Sequence, residues 1–239
     1  MIVVAETGST NDDMAALASS GAAEGLWLRA ERQTGGKGRA GRIWSSQSGN
    51  LHISTLVRLQ PGDPAAHTLA LVSAVAAHAT VVALVPGIAA TIKWPNDLMA
   101  VDPIAGPAKL CGMLLEARDG AVVVGFGMNV THAPEIAGRA TTSLASCGAS
   151  ADSDAVQAGA MLARHFAIWL DRWRREGLGV IRDAWLLAAH PVGTLLRAML
   201  PDGTDVEGAF AGLASDGALL LSRKDGSLAV IHAGDVFAL

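Results

Sequence analysis

The residues best suited to chemistry are gathered in one run, Gln33-Thr34-Gly35-Gly36-Lys37-Gly38-Arg39-Ala40-Gly41-Arg42-Ile43-Trp44. Its four glycines remove side chains, so backbone amides can approach an anion closely. Lys37, Arg39 and Arg42 can then surround that anion from several directions, and arginine adds a planar fork matched to phosphate or carboxylate oxygens. The run is neither GxxxxGKS/T nor a dinucleotide GxGxxG fingerprint. Taken alone it reads equally as a solvated surface loop or a weak RNA contact. Trp44 at its end argues against disorder, because an indole packs against something.

Four other pieces carry polar groups into ordered settings. Lys93-Trp94-Pro95-Asn96-Asp97-Leu98 follows an apolar strand, and Pro95 stiffens the turn that presents Asn96 and Asp97. Lys109 opens the aliphatic stretch Lys109-Leu110-Cys111-Gly112-Met113-Leu114-Leu115-Glu116, where Gly112 leaves room beside the backbone. Gly125-Phe126-Gly127-Met128-Asn129 repeats that device at the end of the next strand. Ser9-Thr10-Asn11 offers small hydrogen-bonding side chains where a helix begins. Each has an ordinary structural explanation as well: a surface turn, a charged strand edge, a bulge, a helix cap.

The elements that must position these residues belong to a folded α+β chain. Its 239 residues are 51% hydrophobic and 17% charged, which supports a large core and excludes intrinsic disorder. Lysine plus arginine total 18 against 22 acids, a net charge of −4, so a general nucleic-acid binder is disfavoured. Two cysteines and scattered histidines supply no disulfide framework and no metal-ligand spacing, and no protein-held metal is expected. The N-terminus lacks the look of a secretory signal, and a cytoplasmic location is expected. Residues 65–85 carry no charge and approach a bilayer-spanning length, but their alanines, histidines and hydroxyls favour a buried helix over residues 64–84.

Helices are also expected from residue 11 to about 21, over 155–175 and over 179–189. Strands are expected at 26–30, 51–59, 90–94, 109–117 and 121–130, the last two joined by a tight Arg118-Asp119-Gly120 hairpin. Beyond Pro191, short strands alternate with Pro201-Asp202-Gly203, Ser215-Asp216-Gly217 and Lys224-Asp225-Gly226, the pattern of a small all-β barrel or sandwich. Two units are expected, residues 1–189 and 190–239.

In their order along the chain, these pieces resemble the biotin–protein ligase family, whose glycine loop reads GRGRxGRxW and whose second motif is KWPND. The match spans most of residues 5–130, and the β unit resembles the family's SH3-like C-terminal domain. The resemblance implies a mixed sheet flanked by helices, related to class II aminoacyl-tRNA synthetases and lipoate ligases. It implies an ATP-dependent reaction, with Mg2+ accompanying the nucleotide. Biotin's carboxylate attacks the α-phosphate to give biotinyl-5′-AMP and pyrophosphate, and a lysine amine of a biotin carboxyl carrier domain then takes the acyl group.

Carried over position by position, the resemblance assigns Ser9, Thr10, Asn11, Gln33, Gly36, Lys37 and Gly38 to biotin. Arg39 and Lys109 face both carboxylate and phosphate, and the backbones at Gly112 and Gly127 lie against the ligand. Arg42, Trp44, Lys93, Asn96 and Asn129 go to the adenylate. Asp97 handles the acceptor amine or magnesium, and no enzyme nucleophile is needed.

One departure is Lys37, where the family has arginine: charge survives but the bidentate fork does not. The glycine loop is expected to close over the adenylate. The ligase motifs begin at Ser9, so a ligase without a DNA-binding domain is expected, acting on the carrier of acetyl-CoA carboxylase away from DNA and membrane, with a homodimer possible. Two competing readings are a lipoate ligase of the same fold and a catalytically silent biotin- or RNA-binding protein.

Overall fold

A computed structural model describes every residue except Pro103 and Asp119. Seven strands form one mixed sheet in the order β1-β2-β3-β7-β6-β5-β4. They are β1 (Ile2–Thr7), β2 (Trp27–Gln33), β3 (Leu51–Arg58), β4 (Ala90–Lys93), β5 (Asp97–Asp102), β6 (Gly106–Arg118) and β7 (Ala121–Met128). Among the described residues β1 and β2 pair in parallel and the other neighbouring strands of this sheet pair antiparallel.

Alternation along the strands divides the sheet into two faces. Leu51, Ile53 and Val57 of β3, with Val122, Val124, Phe126 and Met128 of β7, belong to the main core with α2 (Leu69–Leu84), α3 (Ala155–Glu176) and α4 (Leu178–Leu187). The intervening Leu56 and Val123 pack instead with Leu28 against Met14 and Ala18 of α1 (Thr10–Ser19). Further along this second face the apolar side chains give out. Ser54 pairs with Gly125, and Gly127 pairs with Gly112, which leaves the sheet bare beside α1.

The uncharged stretch is a core helix. Residues 66–84 are long and apolar enough to cross a bilayer, yet 67% of that window is buried inside the fold. Ser73 and Thr80 bond back to carbonyls of the preceding turn, so their hydroxyls cost little in an apolar setting.

A second sheet follows in the order β11-β10-β9-β8-β12, all antiparallel: β8 (Leu195–Met199), β9 (Asp205–Leu213), β10 (Leu219–Ser222), β11 (Leu228–Ile231) and β12 (Asp235–Ala238). Its three Asp-Gly turns work as expected. Asp202, Asp216 and Asp225 each accept the amide two residues on, and Gly203, Gly217 and Gly226 take positive φ. The sheet does not close into a barrel by hydrogen bonding: no ladder joins the four-residue edges β11 and β12 among the described residues. Phe210, Leu219 and Ile231 join the main core, and Phe210 lies 6.4 Å from the Trp185 ring.

Three strands escaped the sequence reading. β1 and β12 lie at chain ends where periodicity has few residues to act on, and β5 starts inside the motif read as a turn. The residues proposed as a tight hairpin join β6 to β7, but their middle residue, Asp119, lies outside the described residues.

Candidate active site

The β4–β5 hairpin aligns three motifs in one row. Lys93 pairs with Asp97, Asp97 with Gly112, and Gly112 with Gly127. Residues directly opposite on neighbouring strands share a face, so one cross-strand row carries a cation, a carboxylate and two bare positions. A cavity of about 250 Å³ lies over this row, walled by α1, the glycine loop, the hairpin, residues 136–141 and β12.

The end beside α1 is neutral. Ser9, Thr10 and Asn11 are buried at the start of α1, but they do not cap it as read from the sequence: Ser9 makes no side-chain cap, and Gln33 Oε1 accepts the Thr10 amide at 2.8 Å instead. The same Gln33 oxygen accepts the Thr10 hydroxyl at 3.0 Å, while Gln33 Nε2 donates to Ser46 at 2.9 Å. Ser54 Oγ lies 2.7 Å from both Thr10 Oγ1 and Asn11 Oδ1, and Asn11 Nδ2 donates to Glu116 at 2.8 Å. A Cβ on Gly125 would overlap the Asn11 amide, so glycine there is required by the close approach.

The other end is cationic. The glycine loop is a hairpin, with Gly38 N bonded to Arg42 O at 2.7 Å and Trp44 N to Gly36 O at 2.9 Å. Ala40 stands in the left-handed region at φ 53°, the only non-glycine described to do so. Arg39 Nη1 donates to Asn96 Oδ1 at 3.1 Å, and Lys109 Nζ pairs with Asp97 Oδ1 at 2.6 Å. Adjacent residues of one turn therefore hold cations from two separate motifs in a shared cavity. Burial pushes the Lys93 ammonium below its ordinary pKa, while the nearby Asp97 charge opposes that shift. Lys93 Nζ lies 5.4 Å from the centre of the Phe237 ring.

Trp44 supplies the packing its size demanded. Its ring lies over Gly127, where any Cβ would overlap it, and 5.3 Å from Lys109 Nζ. Among the described residues its buried indole N–H has no partner, leaving one donor for a ligand acceptor.

Some assignments change. Gly36 does not line the cavity; a Cβ there would meet Ser46 Oγ and Trp44 O at 2.6 Å, so this glycine serves the loop's own turn. Asn129 is buried off the wall, and its amide donates to Thr142 O at 2.9 Å to hold the following segment. Lys37 lines the wall but turns its ammonium to Asp12 at 2.7 Å. Arg42 lines it too, forked onto Asp235 of β12 at 2.9 and 3.1 Å. The remaining residues proposed from the sequence, Gly38, Asn96 and Gly112 among them, line the cavity together. Ser54, Arg139, Asp235 and Phe237 were missed. Ser54 sits in an ordinary strand pattern and the other three in segments without a motif.

Comparison with known proteins agrees with this geometry. Residues 5–131 match the Biotin/lipoate A/B protein ligase family, and residues 198–239 match the Biotin protein ligase C terminal domain. The chain is 35% identical to a biotin–[acetyl-CoA-carboxylase] ligase of Mycobacterium tuberculosis, over 99% of this chain and 88% of the relative. It is 34% identical to the ligase of that name from Paracoccus denitrificans, over 98% of this chain and 99% of the relative. In fold it is similar to biotin protein ligase from Aquifex aeolicus in complex with biotin and ATP, with a TM-score of 0.85 and 22% identity over 100% of this chain and 98% of the other. Motif order, cavity and full-length likeness converge, and the chain belongs to the biotin protein ligase family.

Proposed function

We propose that the chain joins biotin to ATP as biotinyl-5′-AMP and passes the biotinyl group to a lysine of a carrier domain of acetyl-CoA carboxylase. The observation that carries this reading is the Asn96–Asp97 turn, which brings Arg39 and Lys109 to one cavity beside a neutral polar pocket. A uncharged cyclic urea suits Thr10, Gln33 and Ser9, which offer donors and acceptors without charge. A carboxylate and a phosphate that repel each other suit the cations beyond.

In the first step a biotin carboxylate oxygen bonds to the α-phosphorus, and the bond to the β-phosphate oxygen breaks, its electrons leaving with pyrophosphate. Arg39 and Lys109 neutralise and align the two anions, so catalysis is electrostatic positioning. In the second step the lysine amine attacks the acyl carbon, AMP leaves, and Asp97 takes the amine's proton as Lys109 follows the departing phosphate. Both wall carboxylates, Asp97 and Asp235, are engaged by cations. Mg2+ would accompany the phosphates of ATP and screen their charge. We assign residues 1–189 to the chemistry and 190–239 to a companion unit that completes the wall through Asp235 and Phe237. The free cysteines Cys111 and Cys147 suit a cytoplasmic setting.

The test is calorimetric titration of biotin with and without ATP, followed by transfer to a biotin carboxyl carrier domain. Binding that tightens with ATP and a labelled carrier lysine are expected. Incorporation of lipoate in place of biotin would overturn the substrate.

A further inference from the structure

We infer that Arg139 is the cation that binds the β- and γ-phosphates of ATP and holds pyrophosphate as it leaves. The inference rests on the ligase reading and extends it to a residue outside the motifs.

The segment after β7 folds back along β6. Lys109 N donates to Ala140 O at 2.9 Å and Thr142 N to Lys109 O at 3.0 Å, so the backbone beside Arg139 is tied to the residue that carries the site's central ammonium. Thr142 Oγ1 donates to Asp102 at 2.7 Å on the far side. On the near side Arg139 N closes a turn onto Ile136 O at 3.1 Å, with Gly138 at φ 72°, a conformation that favours glycine. A fixed backbone thus delivers an arginine to the cavity wall.

Among the described residues six cations line that wall, and most are already engaged. Lys37 is paired with Asp12, Arg42 with Asp235, and Lys109 with Asp97. Arg39 is bonded to Asn96 and Gly234 O, and half-buried Lys93 lies 5.4 Å from the Phe237 ring centre. Among the described residues, the Arg139 guanidinium makes no hydrogen bond or ion pair, and it is exposed. Its charge nevertheless reaches the same place: it helps to lower the pKa of both Asp235 and Lys93.

The chemistry of the first step says what such a group is for. Arg39 and Lys109 meet at the carboxylate and the α-phosphate, yet the triphosphate brings two more phosphates, and negative charge builds on them as the bond to the α-phosphorus breaks. A guanidinium on an ordered segment, fully charged and without an internal partner, can follow that charge without first giving up another bond.

Full-length Arg139→Ala and Arg139→Lys variants are tested in the two half-reactions separately. In biotinyl-5′-AMP formation, Arg139→Ala is expected to raise the KM for ATP and weaken inhibition by inorganic pyrophosphate, each about tenfold, the loss of one charged hydrogen bond. Transfer from preformed biotinyl-5′-AMP to the carrier domain is expected to stay within about twofold of wild type, and Arg139→Lys to recover part of the ATP effect. The melting temperature is expected not to move, because Arg139 has no side-chain partner to lose. An unchanged KM for ATP overturns the assignment. So does an equal loss in both half-reactions, which would place Arg139 on the adenylate. A wild-type chain that forms no biotinyl-5′-AMP overturns the ligase reading itself, and the role of Arg139 with it.

Discussion

At the neutral end of the cavity Thr10, Asn11, Gln33, Ser46 and Ser54 satisfy one another through bonds of 2.7 to 3.0 Å. At the charged end Arg39, Arg42 and Lys109 are instead bonded to Gly234 O, Asp235 and Asp97. The first set is shaped by uncharged side chains bonded to one another, with the Asn11 amide also tied to Glu116. The second is held by groups that an incoming phosphate can replace, because a carboxylate and a phosphate oxygen satisfy a guanidinium in the same way. Affinity for the uncharged head is therefore built in by folding, whereas affinity for the nucleotide depends on exchanging one anion for another.

Breaking the charged end at its centre has the largest expected effect. Lys109→Ala removes the cation that faces the reacting oxygens and leaves Asp97 unpaired, so biotinyl-5′-AMP formation is expected to fall about a thousandfold. Single-turnover adenylation reads this, and biotin affinity without ATP, a property of the neutral end, is expected to change far less. Next is the floor they share: Gly127→Ala drives a methyl into Trp44 and is expected to cost about 1–3 kcal/mol of stability and at least about tenfold in biotin affinity. Calorimetry and thermal melting check it together.

Ser54→Ala sharpens the contrast. It leaves Thr10 Oγ1 and Asn11 Oδ1 without their shared partner, and about a tenfold weaker Kd for biotin is expected with an unaltered KM for ATP. A shift in the ATP value would show that the two ends are not separable. At the charged end, Asp235→Asn loosens the Arg42 fork. Part-exposed pairs of this kind contribute about 1 kcal/mol, so cleavage of residues 34–42 by a limiting protease is expected to speed up about fivefold without ligand and to slow again with biotin and ATP.

The smallest effect is acid sensitivity behind the neutral end. His52 pairs with Gly127 across the sheet, is 1% exposed, and is held below its ordinary value of 6.5 by burial. The unfolded chain therefore binds a proton that the folded chain refuses: stability from this group is full above 6.5 and falls as pH drops below it. The melting temperature is therefore expected to fall as the pH drops from about 7.5 to about 5.5, with His78, His165 and His190, also held down by burial, adding to the slope. His52→Gln is expected to flatten that slope.

Much of the site could be read from the amino acids because its parts are local. A basic glycine run, a Pro-stiffened turn and glycines inside aliphatic strands each announce a backbone left open, and the cross-strand row Lys93–Asp97–Gly112–Gly127 shows why they occur together. What escaped reading depends on tertiary pairing. Asp235 reaches Arg42 across 193 positions, and neither residue carries a trace of the other. Asn11 looked like a cap because Asn caps helices often, yet its amide is spent on Ser54 and Glu116. Gly36 and Asn129 sat in the right motifs with jobs that face away from the cavity.

The bald strip formed by Gly112, Gly125 and Gly127 restricts how this enzyme can change over evolutionary time. Asn11 and Trp44 close Gly125 and Gly127 to even a methyl group, and Gly112 lies tightly against Trp44 and Lys109, so single substitutions at the first two offer no gradual route to a new acid substrate. Drift in selectivity must come through the surrounding walls, which the helix start, the basic loop and the C-terminal sheet supply from distant stretches of the chain and can alter one at a time.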